Sequence, residues 1–447
     1  MGFKKVLIAN RGEIAVRILR TCRELGIETV SIHSKADENS LHVKLADESV
    51  CIGPAKSAMS YLNIPSILSA AEITGADAIH PGFGFLSENR EFANLCKKWE
   101  VEFIGPNVDA IEKMGDKIFS KELAKSAGLP VLEPIKVNEM TPEDIKAAVL
   151  EMKFPVLIKA SAGGGGRGMQ MIDNMKDLLP AIDRLKTEAK AGFGDDTLFI
   201  EKYITNPRHV EVQILADKHG NVVHIGERDC TIQRRFQKVI EESPCPVLSP
   251  EKREEICQSA VDLARFVNYD SVGTVEYLYD QDEDKFYFME MNTRIQVEHP
   301  VSEARTGIDL IAQQIRSAEG EKLKFTQKDI PFFGHSMECR INAEDPKTFA
   351  PSPGLINHYH RPAGLGVRVD DFIYSGYSVS PFYDSMLAKI IVTGQDREEC
   401  LARMTRALKE TVIEGIKTNI PLHLNIISHP DFRGNNYSTN FLATKMK

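Results

Sequence analysis

The chain has 447 residues, and at roughly 150 residues per domain that length holds about three domains, each able to bury its own core. Hydrophobic residues at 42% and charged residues at 27% are ordinary globular values, which exclude a disordered or fibrous chain. Against 55 basic side chains stand 64 acidic ones, a formal charge of −9; this excludes the overall basic footprint of a nucleic-acid-binding protein and leaves room for a local basic pocket.

In chain order, the apolar run Val6-Leu7-Ile8-Ala9 is too short for a signal-peptide core or a membrane span, and Val6 stands where an N-myristoylation motif wants Ser or Thr. The expectation is a cytoplasmic enzyme. Residues 5–9 read as a buried strand and 12–25 as a helix with an apolar stripe at Ile14, Ile18, Leu19 and Cys22, stopped by Gly26. Strand 27–34, helix 61–74, strand 76–80, helix 92–99 and strand 101–104 follow. Strand alternating with helix predicts a doubly wound parallel-sheet α/β domain over 1–115, with the turn Pro81-Gly82-Phe83-Gly84-Phe85 as a pocket wall at the carboxyl ends of the strands. A helical connector (116–131) leads to a small α+β lid (132–204) with strands near 134–137, 155–160, 169–172 and 198–204. Residues 205–447 read as a larger mixed domain, antiparallel-rich, with strands at 209–215, 222–227, 271–279 and 286–291. No internal repeat or low-complexity tract interrupts the chain. The eight cysteines are scattered without a C-x-x-C pair, so reduced, mostly buried thiols are expected, Cys230 among them.

Three segments carry chemistry. Five glycines fall in the six positions 163–168, which lets backbone N–H groups approach phosphate oxygens. Met169 stands where a Walker loop needs Lys, and a strand follows where a dinucleotide fingerprint opens a helix, so the run reads as a strand–loop–strand flap with Lys159 as its cation. Next, period two places Phe288, Glu290 and Asn292 on one strand face; with Glu276 from the neighbouring strand they form a hard oxygen site suited to Mg²⁺. Finally, 292–300 and 227–238 are denser in hydrogen-bonding groups than a core strand tolerates, while the interleaved Ile232, Val239, Ile295 and Val297 place them partly buried. Arg294 and Lys238 can hold a small oxyanion, with Glu298 beside them as general base.

From Ile8-Ala9-Asn10-Arg11-Gly12-Glu13 through His80-Pro81-Gly82, the glycine flap and Glu290-Met291-Asn292-Thr293-Arg294-Ile295-Gln296-Val297-Glu298-His299 to Ile341-Asn342-Ala343-Glu344-Asp345-Pro346 and Tyr383-Asp384-Ser385-Met386, the chain resembles the biotin carboxylases, which have the ATP-grasp fold. The resemblance implies that Lys117, Lys159 and the flap glycines Gly164, Gly165 and Gly166 contact ATP phosphates. It implies that Glu201, Lys202 and Ile204 form a hinge strand at the adenine, and that His209 and Gln233 approach the nucleotide. Bicarbonate is implied to be held by Lys238, Arg294, Gln296 and the Val297 backbone and deprotonated by Glu298; Mg²⁺ (or Mn²⁺) is implied on Glu276, Glu290 and Asn292. Carboxyphosphate then releases CO₂ to a biotin whose enolate-like form Arg340 stabilises.

The resemblance also implies a biotin carboxyl carrier protein, a carboxyltransferase subunit and a homodimer, with no nucleic acid or membrane partner. It implies the first half-reaction of acetyl-CoA carboxylase in fatty acid synthesis, or else that of a pyruvate or other 2-oxoacid carboxylase. Thr444-Lys445-Met446-Lys447 lacks the folded hairpin of a biotin acceptor, so biotin is expected on another protein. Three positions depart from the family pattern: Phe236 replaces a polar residue, Phe83 replaces Tyr, and 130–137 lacks a Pro-Gly-Ser-Asp-Gly loop. Two other readings share these residues, a carboxylate–amine ligase forming an acyl phosphate and a nucleotide-binding regulatory subunit.

Overall fold

The strand Lys5–Ile8 (β1) sends alternate side chains into two cores: Val6 and Ile8 pack with Ile14 and Ile18, and Leu7 packs with Val30, Ile67 and Phe92. Burial on both faces is what a central parallel strand requires. With Glu28–Ser34 (β2), Glu48–Gly53 (β3), Ala78–His80 (β4) and Glu102–Phe103 (β5) it forms a parallel sheet in the order β3-β2-β1-β4-β5, a doubly wound arrangement. β3 is not evident from the sequence because it is an edge strand on which only Ile52 is buried, and its apolar run Val50-Cys51-Ile52 is only three residues long. The structure, a computed structural model, describes residues 2–160, 169–193 and 195–446, with side chains at all of these but 117, 118, 192 and 193.

The loops after β1 and β4 meet at one end of this sheet. Asn10 donates its amide N–H groups to the Pro81 and Phe83 carbonyls, at 2.7 and 2.8 Å. Gly82 has φ +64 and a Cβ there would lie 2.9 Å from Asn10 Nδ2, so only glycine fits the turn.

A second, four-stranded sheet is built from Ile135–Lys136 (β6), Val156–Ala160 (β7), Met169–Ile172 (β8) and Leu198–Lys202 (β9), in the order β6-β9-β7-β8. Its core is its own: Val156, Ile158, Leu198 and Ile200 pack on Val149 and Leu178 of the helices Pro142–Met152 and Met175–Phe193. The strand expected to run through Ile204 ends at Lys202; Ile204 is buried just beyond it. The segment departing from the family pattern is seated by Phe288 N–H donating to the Pro130 carbonyl (2.8 Å) and by β6 pairing with β9.

The third sheet contains Pro207–Ala216 (β10), Val222–Arg234 (β11), Gln237–Ser243 (β12), Val272–Asp280 (β13), Lys285–Asn292 (β14) and His335–Asn342 (β15). Two small pairs, Gly354–Leu355 (β16) with Ser378–Val379 (β19) and His358–His360 (β17) with Val412–Glu414 (β21), flank it, and Val367–Asp371 (β18) and Met386–Gly394 (β20) complete it. The eight strands are antiparallel in the order β14-β13-β10-β11-β12-β15-β20-β18. One face is apolar: Val210, Val212, Val275 and Met291 meet the helix Pro250–Phe266, and Ile240, Cys339, Ile341 and Ile390 meet the helix Arg397–Glu410. The alternate residues face the other way and are largely charged. The helix His299–Thr306 covers part of that second face.

β11 corrects one expectation. Its segment from Glu227 to Ile232, expected to be only partly buried and too polar for a core strand, is a fully buried continuation of the strand. Each charge has a partner: Glu227 accepts from Arg253 Nε at 2.6 Å, Asp229 from Arg208 Nη1 at 2.8 Å, and Arg228 donates to Glu211 at 2.6 Å. Paired charges remove the burial penalty that the reading assumed.

Candidate active site

The charged face of the eight-stranded sheet and the β1 and β4 loops enclose a cavity of about 680 Å³. Ten of the residues singled out from the sequence line it: His209, Lys238, Glu276, Glu290, Asn292, Arg294, Gln296, Val297, Glu298 and Arg340. Its far wall is Asn10, Arg11, Phe83 and Tyr383.

Strand register assembles the acids. Glu211 on β10 is directly opposite Glu276 on β13, which is opposite Glu290 on β14, while Arg228 on β11 is opposite Glu211. Four strands thus lay Arg228, Glu211, Glu276 and Glu290 in one row. Phe288 is not on this face, contrary to the period-two expectation. The β13–β14 register shifts between Glu276 and Tyr277, an extra residue at exposed Met289 reverses the alternation, and Phe288 joins Phe286 and Met291 in the apolar core.

Lys238 ties the row to Glu298. Its Nζ donates to Glu211 Oε2 and Glu298 Oε1, each at 2.5 Å, and to Glu276 Oε1 at 3.0 Å. Arg340 Nη2 donates to the other Glu298 oxygen at 2.8 Å. Burial alone would raise the Glu298 carboxyl, and Glu211 opposes ionisation too, but Lys238, Arg340 and Arg228 outweigh both and hold it below its ordinary value. Burial also acts to raise Glu276, where Lys238 and His209 prevail and hold it well below the carboxylate range. His209 Nε2 lies 3.0 Å from Glu276 Oε2; although burial disfavours its charge, Glu276 and Glu211 lift its pKa to about 9. Cys230 is fully buried and its thiol is pushed well up by that burial, the state of a packing residue and not of a nucleophile.

Arg294 was expected beside Glu298 and is held elsewhere on the cavity wall. Its Nε donates to Glu88 and its Nη2 to Asn292 Oδ1, both at 2.8 Å. Asn292 Nδ2 and Gln296 Nε2 donate to Glu276 Oε1, at 2.9 and 2.6 Å. The Asn292 amide oxygen accepts from Arg294 and keeps a second lone pair, so it and the facing carboxylates Glu276 and Glu290 are oxygen donors that fit a hard divalent cation.

Of the remaining candidates, the described ones are not part of this cavity lining. Lys159 forms an ion pair with Glu201 across β7 and β9, and Lys202 forms one with Glu283 at the turn between β13 and β14. Gln233 donates to the Cys230 carbonyl at 2.9 Å. Gly164, Gly165, Gly166 and the Lys117 side chain lie outside the described residues. Phe236 sits at the β11–β12 hairpin tip with φ +66 and is 73% exposed at the cavity rim, together with Phe382.

The sequence reading missed Glu88, Glu211, Arg228, Glu241 and Lys389. Glu211 had a readable signal, since His209, Glu211 and Gln213 alternate with Val210, Val212 and Ile214. Glu88, in a loop 206 residues from Arg294, had none.

A doubly wound domain, a small four-stranded sheet and a large antiparallel sheet around an acid-and-cation cavity define an ATP-grasp ligase. Residues 2–111 match the family model "Biotin carboxylase, N-terminal domain", 116–326 match "Carbamoyl-phosphate synthase L chain, ATP binding domain", and 338–444 match "Biotin carboxylase C-terminal domain". Biotin carboxylase 1 of Bacillus subtilis is 54% identical over 99% of this chain and 98% of its own length. The biotin carboxylase of Campylobacter jejuni, solved with β,γ-ATP, superposes with a TM-score of 0.91 at 50% identity, covering 99% of this chain and 98% of that one. The biotin carboxylase domain dimer of Hydrogenobacter thermophilus 2-oxoglutarate carboxylase, solved with MgADP, ADP and bicarbonate, gives a TM-score of 0.89 at 48% identity with the same coverage. The chain belongs to the biotin carboxylase family, ATP-dependent ligases that carboxylate biotin. Among the described residues no helix is long and apolar enough to cross a membrane.

Proposed function

We propose that the chain carries out the first half-reaction of a biotin-dependent carboxylase, in which ATP and bicarbonate form carboxyphosphate and its CO₂ is captured by biotin on a carrier protein. The observation that carries this reading is the Glu298 carboxylate held between Lys238 Nζ and Arg340 Nη2 inside the cavity. Glu298 is ionised at neutral pH and takes the bicarbonate proton, while Lys238, Arg294, the Gln296 amide and the Val297 backbone hold the anion. The bicarbonate oxygen attacks the γ-phosphorus of ATP and ADP leaves. Carboxyphosphate breaks down to CO₂ and phosphate, the phosphate accepts the ureido proton of biotin, and Arg340 stabilises the charge on the ureido oxygen until nitrogen bonds to CO₂.

Glu276, Glu290 and Asn292 would hold Mg²⁺ or Mn²⁺, which when bound neutralises phosphate charge. Lys117, Lys159 and the flap glycines Gly164 to Gly166 are assigned to the phosphates, Glu201, Lys202 and Ile204 to the adenine, and His209 and Gln233 to the nucleotide. The working partners are a biotin carboxyl carrier protein, a carboxyltransferase subunit and a second copy of the chain. Eight free cysteines, seven of them buried, suit a reducing cytoplasm.

Incubating the pure chain with ATP, Mg²⁺, bicarbonate and free biotin tests the reading. ADP release dependent on both bicarbonate and biotin is expected; a carboxylate–amine ligase would need an organic acid and an amine, and a regulatory subunit would release none. For the final acceptor we assign acetyl-CoA, with a 2-oxoacid as the second reading because a 2-oxoglutarate carboxylase domain is 48% identical. Completing the transfer with carboxyltransferases of each type separates the two.

A further inference from the structure

Behind Arg340 the charged face of the sheet holds two acids that the reaction does not use. Glu241 on β12 and Glu338 on β15 are directly opposite in the antiparallel ladder and fully buried. Opposed side chains share a face, with Cβ atoms about 5 Å apart, and Arg340 is on that face two residues further along β15. Arg340 donates from Nε to Glu241 Oε1 at 2.6 Å and from Nη2 to Glu298 Oε2 at 2.8 Å, and its Nη2 also lies 2.6 Å from Glu241 Oε1 as an ion pair. Among the described residues its Nη1 has no acceptor, and the side chain lines the cavity. Glu241 Oε2 and both Glu338 oxygens also have no hydrogen-bond partner among the described residues. Two ionised carboxylates left so in a dry site would be strongly destabilising, and a single shared proton relieves it.

We propose that Glu241 and Glu338 are a carboxylate and carboxylic-acid pair that positions Arg340: ionised Glu241 grips Nε and Nη2 through Oε1, while Glu338 donates its acid O–H to Glu241 Oε2. The guanidinium is thereby fixed in one orientation, with Nη1 presented to the cavity and Glu298 spared from being its sole anchor. The surrounding charges agree. Facing the pair are Lys238 from β12, Arg340 from β15, Lys389 from β20 and Glu298 from the start of the helix His299–Thr306. Burial pushes the Glu338 carboxyl well up and Glu241 adds to it, against Lys389 and Arg340. Burial raises Glu241 as well, to about 7, with Arg340 opposing. Lys389 is already committed, donating to the Val297 carbonyl at 2.7 Å and pairing with Glu13 at 3.2 Å, so the acid proton is left to Glu241 and Glu338.

This inference rests on the assignment of Arg340 to the biotin step, and its test separates the two. Bicarbonate-dependent ATP hydrolysis without biotin and carboxylation of free biotin are measured for the unmodified chain, Glu241→Gln, Glu338→Ala and Glu338→Gln. Glu241→Gln and Glu338→Ala are expected to lower biotin carboxylation by up to about 100-fold while ATP hydrolysis falls far less. Glu338→Gln should restore the ratio towards the unmodified value, because its amide N–H replaces the acid O–H. Infrared spectra at neutral pH should show a carboxylic-acid C=O band that Glu338→Gln lacks, a readout that stands even where Glu338→Ala fails to fold. Proportional loss of both activities, no rescue by Gln, or an unchanged acid band would overturn the proposal. An unmodified chain without biotin-dependent ADP release would overturn the functional reading, and the infrared band would still decide the pair.

Discussion

The two faces of the eight-stranded sheet are made by the same strands and obey opposite rules. On one, Val210, Val212, Ile240, Cys339 and Ile390 pack against two helices with no directional demand. On the other, Glu211, Glu276, Glu241 and Arg340 are equally buried or nearly so, and each position depends on a named partner. The apolar face tolerates replacement by anything of similar volume, whereas the charged face does not, because a partner removed leaves an uncompensated buried charge. Rigid strands backed by an apolar core are thus what hold the acids and cations at fixed distances.

The sharpest way to break the comparison is Glu298→Gln, which keeps shape and removes the proton acceptor; turnover should fall about 10²–10⁴-fold with ATP binding unchanged, read by steady-state kinetics. Near-normal turnover would remove Glu298 from the proton transfer. Next is Arg228→Ala, which removes the partner of Glu211 Oε1 and leaves that buried carboxylate to its Lys238 hydrogen bond; it should destabilise the fold by about 3–5 kcal/mol in denaturant unfolding, with ATP-dependent activity lost alongside. Ile390→Ala, on the apolar face, should cost a similar ~2–5 kcal/mol by opening a cavity, but leave the ratio of biotin carboxylation to ATP hydrolysis unaltered. If that ratio moves, the two faces are not energetically separable.

Glu242 is an exception within the apolar face, accepting from Arg397 at 2.7 and 3.0 Å, from Tyr437 at 2.8 Å, and contacting His335 at 2.8 Å. Burial acts to raise its carboxyl, yet Arg397 and His335 hold it far below the ordinary value of 4.5. A depressed folded-state value means its stabilisation is present above about pH 4.5 and is lost as pH falls below that. Glu242→Gln should therefore flatten the decline of unfolding free energy on the acid side, measured by denaturation at stepped pH, after an initial loss of about 1–3 kcal/mol. The smallest effect is expected at the rim. Phe236→His adds at most one net hydrogen bond, ~0.5–1.5 kcal/mol, so the ATP Michaelis constant should fall by up to about tenfold with turnover at saturating ATP intact. A large loss of turnover would instead place the phenyl ring in the reactive state.

Much of this was legible beforehand. The parallel character of the first sheet follows from strand–helix alternation, and the run Glu290 to Glu298 sends five of its residues to the cavity besides Glu290 itself: Asn292, Arg294, Gln296, Val297 and Glu298. The face of Glu290 was read from simple period two, and the bulge at Met289 shows where that arithmetic fails for Phe288. The depth of burial from Glu227 to Ile232 exceeds what its polarity suggests, because composition reports how polar a strand is and not whether its charges are paired.

The sequence by itself determined which residue types lie on which local repeat, because a strand's alternation and a helix's stripe depend only on neighbours a few positions away. Only the tertiary structure decided which cation meets which acid. Glu298 finds Lys238 at a separation of 60 residues and Arg340 at 42, and Arg294 finds Glu88 at 206. Such pairings are set by strand register and by how the first sheet's loops close over the third, and no local pattern carries either.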